Sequence, residues 1–293
     1  MRKSFSTAVE QIIRTDDRVV ILLGDIGVHS FRESMELFPN RVLNIGILEQ
    51  SMIGIAAGLS KQGLIPFVHT IAPFMVERAL EQLKIDFGYQ KLGGNFVSVG
   101  ASSDYSALGC THHCPGDISI LLTIPGFELF VPGTAEELTQ AIQSSYANTL
   151  PTYYRISEVS NSKDFSNLDN KGTLVKKGSK CSVIVFGPML DKTLDALTDL
   201  DVEILYFYKL NPIDEDLVRR CCKSGKILLI EPFYSGTMTY IISSLIPKQS
   251  QVVSIGYPKE FLRNYGTLQE HLNFIGFTEE KIRKAVDDLI SVE

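Results

Sequence analysis

Short apolar runs alternate with helical segments along the whole chain, and this alternation constrains the fold more than any other feature. In the first half the runs are Val19–Leu23, Val42–Ile45, Ile65–His69, Asn95–Gly100, Glu128–Val131 and Thr152–Arg155. In the second half they are Cys181–Phe186, Val202–Tyr206, Ile227–Ile230 and Val252–Ile255. Strands that alternate with helices predict an α/β protein with mainly parallel sheets flanked by helices. Thr134-Ala135-Glu136-Glu137 reads as a capping box that opens a helix after Val131-Pro132-Gly133. Gly187-Pro188 and Glu231-Pro232 punctuate strand ends. Between the two sets, Ser157 to Lys171 is dominated by Ser, Asn, Asp and Lys and loses its periodicity, which marks a linker.

A chain of 293 residues is long enough for two domains. Its 44% apolar and 21% charged residues are ordinary for a globular protein with a full core. A net charge of −6 without any Lys/Arg cluster argues against nucleic-acid binding. No apolar stretch approaches the ~20 residues that would cross a bilayer, so no membrane span is expected. Met1–Ser6 runs into an amphipathic helix and not into an apolar targeting core. Five cysteines, an odd number, suit a reducing compartment, and a cytoplasmic location is expected.

The segment Asn44-Ile45-Gly46-Ile47-Leu48-Glu49-Gln50-Ser51-Met52-Ile53-Gly54-Ile55-Ala56-Ala57-Gly58-Leu59 places one carboxylate in an otherwise apolar run. Val42–Ile45 reads as a buried strand, Gly46 as the turn, and Ile47–Leu59 as a buried helix. A carboxylate buried at a helix start must find a partner or take up a proton. Glu49 either caps its own helix, where the dipole favours an anion, or serves a site. The segment resembles the pyrimidine-binding signature of the transketolase family, whose members use thiamine diphosphate. By that resemblance Glu49 is the catalytic glutamate that shares a proton with a ring nitrogen of the cofactor's aminopyrimidine.

The resemblance extends over nearly the whole chain. Residues 1–156 look like the family's pyrimidine-binding domain, 157–171 like a linker, and 172–293 like its Rossmann-like C-terminal domain. Asn264-Tyr265-Gly266-Thr267 and Glu270-His271-Leu272-Asn273 match the ending of that last domain. Thr70–Lys84 resembles the aromatic cofactor pocket, where Phe74 would pack on the pyrimidine and Ile71 stands where an aromatic is usual. Gly109-Cys110-Thr111-His112 resembles the Gly-x-Thr-His loop, which makes His112 a catalytic, substrate-facing histidine. His113 is the weaker candidate, because neighbours on an extended loop point apart. Cys110, His112, His113 and Cys114 also admit a metal-site reading, although no second Cys/His cluster exists to complete it. Asp25, in Gly24-Asp25-Ile26-Gly27, matches a position near the cofactor, and turn chemistry explains it equally well. His29 is placed to reach substrate, and Arg155 matches an arginine that binds substrate phosphate. Leu108 replaces the family's sugar-binding aspartate.

No Gly-Asp-Gly with a downstream Asn, the family's magnesium and diphosphate signature, is found in the chain. The resemblance therefore implies the C-terminal subunit of a split transketolase. A separate N-terminal subunit would carry Mg2+ and the diphosphate, and two chains of each kind would form a heterotetramer. The expected reaction transfers a two-carbon ketol unit from a ketose or ketose phosphate to an aldehyde. A deoxyxylulose phosphate synthase-like subunit, a 2-oxo acid dehydrogenase beta-like subunit and a non-catalytic regulatory relative are the alternatives.

Overall fold

The computed structural model describes residues 1–291. Twelve strands are present among them: β1 (Val19–Leu23), β2 (Val42–Asn44), β3 (Ile65–Ile71), β4 (Gly94–Val99), β5 (Glu128–Phe130), β6 (Pro151–Arg155), β7 (Thr173–Lys176), β8 (Ser182–Phe186), β9 (Glu203–Phe207), β10 (Lys209–Asn211), β11 (Lys226–Tyr234) and β12 (Gln251–Tyr257). They form a seven-stranded sheet ordered β10-β5-β6-β4-β3-β1-β2 and a five-stranded sheet ordered β12-β11-β8-β9-β7. Every pairing is parallel except β10 with β5 and β7 with β9.

β1 shows why its sequence is continuously apolar. Val19, Ile21 and Leu23 point into one core, with Phe5, Val9 and Ile13 of the helix Arg2–Thr15. Val20 and Leu22 point into the other, with Met52, Ile53 and Ala56 of the helix Glu49–Lys61. Successive side chains of a strand face opposite ways, so a sheet covered on both sides needs apolar residues at every position. The expected capping box forms at Thr134 and Glu137 and starts the helix Ala135–Ser145.

Three features differ from the sequence expectations. The Glu49 helix begins two residues later than expected, and Ile47 and Leu48 before it are 65% and 59% exposed. It is buried on one side only, because no described element covers Ile55 on its outer face. Two strands, β7 and β10, escape the apolar pattern. Both are short, pair antiparallel at sheet edges, and carry polar residues.

Although β10 follows β9 in the second half of the chain, it extends the first sheet. The Val131 N–H donates to Tyr208 O at 2.7 Å, and Lys209 Nζ donates to Glu128 Oε1 at 2.7 Å. Tyr206 on β9 donates its hydroxyl to Glu137 at 2.7 Å, so the capping glutamate also ties the two sheets together. No helix among the described residues is long and apolar enough to cross a membrane.

Candidate active site

In the first sheet the chain leaves β1 towards β2 and leaves β3 towards β4, in opposite directions. A crevice opens at such a reversal, beyond the carboxyl ends of the strands. The segments after β1, β2, β3 and β4 bring Asp25, Glu49, Phe74 and His112 to this end of the sheet.

Glu49 is 1% exposed and does not cap its helix, whose N-cap is Leu48 without a side-chain bond. Instead Thr70 Oγ1 donates to its Oε1 at 3.1 Å, and Arg78 Nη1 donates to its Oε2 at 2.6 Å. Gly24 makes room for this: a Cβ there would lie 3.0 Å from Thr70 Cβ and Oγ1 and 3.2 Å from the Met52 methyl. Phe74 is half-buried on the short helix Ala72–Val76, with the Arg78 guanidinium 4.1 Å from its ring centre. The His112 ring meets Phe74 edge-on at 5.3 Å, and Thr111 Oγ1 lies 3.0 Å from His112 Nδ1. Glu49, Arg78, Phe74 and His112 thus form one continuous cluster drawn from three separate segments of the chain.

Two members, Thr70 and Arg78, are absent from the sequence reading. Arg78 stands four residues after Phe74, a spacing that lets side chains meet on a helical turn, and this was the available signal. Thr70, inside a buried strand, gave none.

The remaining candidates are placed differently. Asp25 has φ 59° and exchanges hydrogen bonds with Asn44: its N–H donates to Asn44 Oδ1 at 3.0 Å, and Asn44 Nδ2 donates to Asp25 Oδ1 at 3.1 Å. Its side chain therefore ties the turn after β1 to the end of β2. His29 is exposed in the same turn, and Ile71 is buried at the end of β3. Leu108 is 52% exposed on the loop that leads to His112.

Arg155 presents no free guanidinium. It is 1% exposed, donates from Nε to Asp117 Oδ2 at 2.7 Å, and donates from Nη2 to Ser102 Oγ at 2.6 Å. Tyr153 completes the Asp117 pairing with a hydroxyl bond of 2.9 Å. Ser102 in turn donates to Pro232 O at 2.6 Å and accepts, through its carbonyl, the Cys114 N–H at 2.8 Å. The buried pair therefore fixes the two ends of the His112 loop against the second half of the chain. These bonds use Nε and Nη2 of the guanidinium, and Arg155 also lines a cavity between the two halves of the chain.

The two loop thiols face different surroundings. Cys110 is exposed, whereas Cys114 is buried against Glu77, and burial pushes its thiol well above the usual range. His113 is also buried and meets the ring of His271 at 5.2 Å, away from Phe74. Burial lowers its pKa. Among the described residues, no group of three or more His, Cys, Asp or Glu is placed to hold a metal ion.

A buried carboxylate beside an aromatic face fits an aminopyrimidine, with Glu49 for its nitrogen edge and Phe74 for its flat face. The model of the transketolase pyrimidine-binding domain matches residues 1–161. The chain belongs to the transketolase family. It is 34% identical to a 33.6 kDa protein of the fasciation locus in Rhodococcoides fascians, over 99% of this chain and 95% of that one. It is 26% identical to one of the subunits of the apulose-4-phosphate transketolase of Phocaeicola vulgatus, over 99% and 97% of the two chains. A solved structure of a split gene transketolase, an inactive beta4 tetramer, shares the fold with TM-score 0.84 at 24% identity, covering 99% of this chain and 98% of that one. The family uses thiamine diphosphate, and the Glu49–Phe74 pair is where the residues present fit that group.

Proposed function

We propose that this chain is the pyrimidine-binding subunit of a split transketolase-like enzyme that moves a two-carbon ketol unit from a ketose to an aldehyde. The cluster of buried Glu49, Phe74 and His112 is the observation that carries this reading. When bound, thiamine diphosphate supplies the electron sink that lets the bond beside a carbonyl break. Glu49 holds the pyrimidine edge and shares a proton with it, and Phe74 covers its face. His112, half-buried at the pocket edge, gives a proton to a substrate oxygen and takes it back. Residues 1–156 form the unit that does this work, 157–171 link it to the rest, and 172–293 form the C-terminal domain. Arg155 acts as the anchor of the His112 loop, through Ser102 and Asp117.

A separate N-terminal subunit supplies magnesium and the diphosphate contacts, in a heterotetramer located in the cytoplasm. Three observations support a partner chain. Ile47, Leu48 and Ile55 are exposed at the Glu49 helix, and Ile85 and Tyr89 are exposed on the segment packed beside it. The Phocaeicola vulgatus relative is named as one subunit of its transketolase, and the solved tetramer of the same fold is described as split and inactive.

Native mass spectrometry of the chain recovered from its own cells, with magnesium and thiamine diphosphate, tests this. The expected result is a stoichiometric complex with a second protein that carries cofactor and transfers ketol units. In that complex Glu49→Ala abolishes turnover and leaves assembly intact. A cofactor-free homo-oligomer, or full activity in Glu49→Ala, refutes the reading.

A further inference from the structure

We propose that Arg78 is an internal plug of the pyrimidine pocket, which holds the place of the cofactor's ring and must withdraw before that ring can seat. This rests on the function proposed above. The guanidinium makes contact with both groups that would hold the ring. One edge donates to Glu49 Oε2 at 2.6 Å, and its plane lies over Phe74 at 4.1 Å. A guanidinium is flat, delocalised and edged with N–H groups, so it resembles the amidine edge of an aminopyrimidine in shape and in bonding.

The charge balance gives the plug its purpose. A carboxylate that is 1% exposed is costly without a counter-charge, and Arg78 supplies one. Arg78 therefore opposes the ring twice, by lying over Phe74 and by taking Glu49 Oε2. The two partners differ in freedom. The Arg78 side chain is 38% exposed, and among the described residues its guanidinium makes no other hydrogen bond. It can swing into solvent without disturbing the core, while Glu49 is held by its helix and by Thr70.

Calorimetric titration of the assembled enzyme with magnesium thiamine diphosphate tests the plug without reading turnover. Arg78→Gln and Arg78→Met, the second keeping length and contact with Phe74, should bind the cofactor at least about fivefold more tightly than wild type. That factor is what a pocket open about one-fifth of the time imposes on apparent affinity. Equal or weaker binding by both folded variants overturns the plug, and weaker binding makes Arg78 a cofactor-holding residue instead. Glu49→Ala and Phe74→Ala separate the two ideas. If they weaken binding and the Arg78 variants do not strengthen it, only the plug falls. If wild type binds no cofactor, the proposed function falls with it.

Discussion

His69, the fifth residue of β3, shows how far one side chain can be bent to the fold. Its ring is fully buried, with Nδ1 2.8 Å from Val97 O and Phe5 packed on it at 4.8 Å. Burial is the main cause that pulls its pKa down to about 4, against the bond to Val97. Because the folded value lies below the unfolded one, the stability this provides is complete above about pH 6.5 and is lost as pH falls through 4. At ~1.4 kcal/mol per unit the loss amounts to about 3 kcal/mol. His69→Gln should remove this slope. Urea unfolding at pH 7 and pH 4.5 checks it, and an unchanged slope in the variant assigns acid sensitivity elsewhere. Glu49 is buried as deeply but is paired with Thr70 and Arg78. A lone carboxylate in an apolar run is visible in the sequence. Arg78 gives only the weak signal of its spacing from Phe74, because an exposed arginine on an amphipathic segment reads as a solvated charge.

The Glu49 helix is the element whose behaviour is easiest to test. Gly54 and Gly58 lie on its exposed side, where a Cβ at Gly58 would meet nothing within 4 Å and one at Gly54 only Asp86 at 3.9 Å. A glycine inside a helix costs roughly 0.5–1 kcal/mol relative to alanine. Gly58→Ala should therefore stabilise the isolated chain by about that amount, read as a higher unfolding midpoint. A lower midpoint would mean that the helix packs against something in the isolated chain. Sequence and structure part on this element for one reason. Apolar periodicity reveals that a face is greasy, whereas only packing shows whether the same chain covers it. Strand β10 poses the reverse problem. Its three residues, Lys209–Asn211, look like a loop until β5, which Lys209 reaches through Glu128 from 81 residues away, gives them a ladder.

The two sheets meet around a cavity of about 470 Å3 whose walls include Asp104, Arg155, Ser157, Met189 and Tyr257. Asp104 accepts the Glu158 N–H at 2.9 Å, yet burial, the largest influence, pushes its pKa up to about 7. Its folded value is raised, so its stabilising contribution is complete below about pH 4 and is lost as pH rises through 7. The junction is thus weakened in its ionised form. Asp104→Asn should gain on wild type as pH rises from 4 to 8, by up to about 4 kcal/mol. Melting curves of the two proteins across that range test it. A constant difference would show that Asp104 stays ionised throughout.

The sequence by itself determined the α/β class, ten of the strands and the helix cap at Thr134, and it singled out Glu49, Phe74 and His112, which the structure brings into one cluster. These are local: apolar runs, capping residues and a misplaced charge declare themselves within a few positions. The tertiary structure alone decided which charges meet. It turned Arg155 from a free cation into a buried partner of Asp117, gave Glu49 its counter-charge in Arg78, and bound the second half of the chain to the first through β10. The energy of a charge is set by its neighbours in space and its distance from water, and chain order specifies neither until the chain has folded.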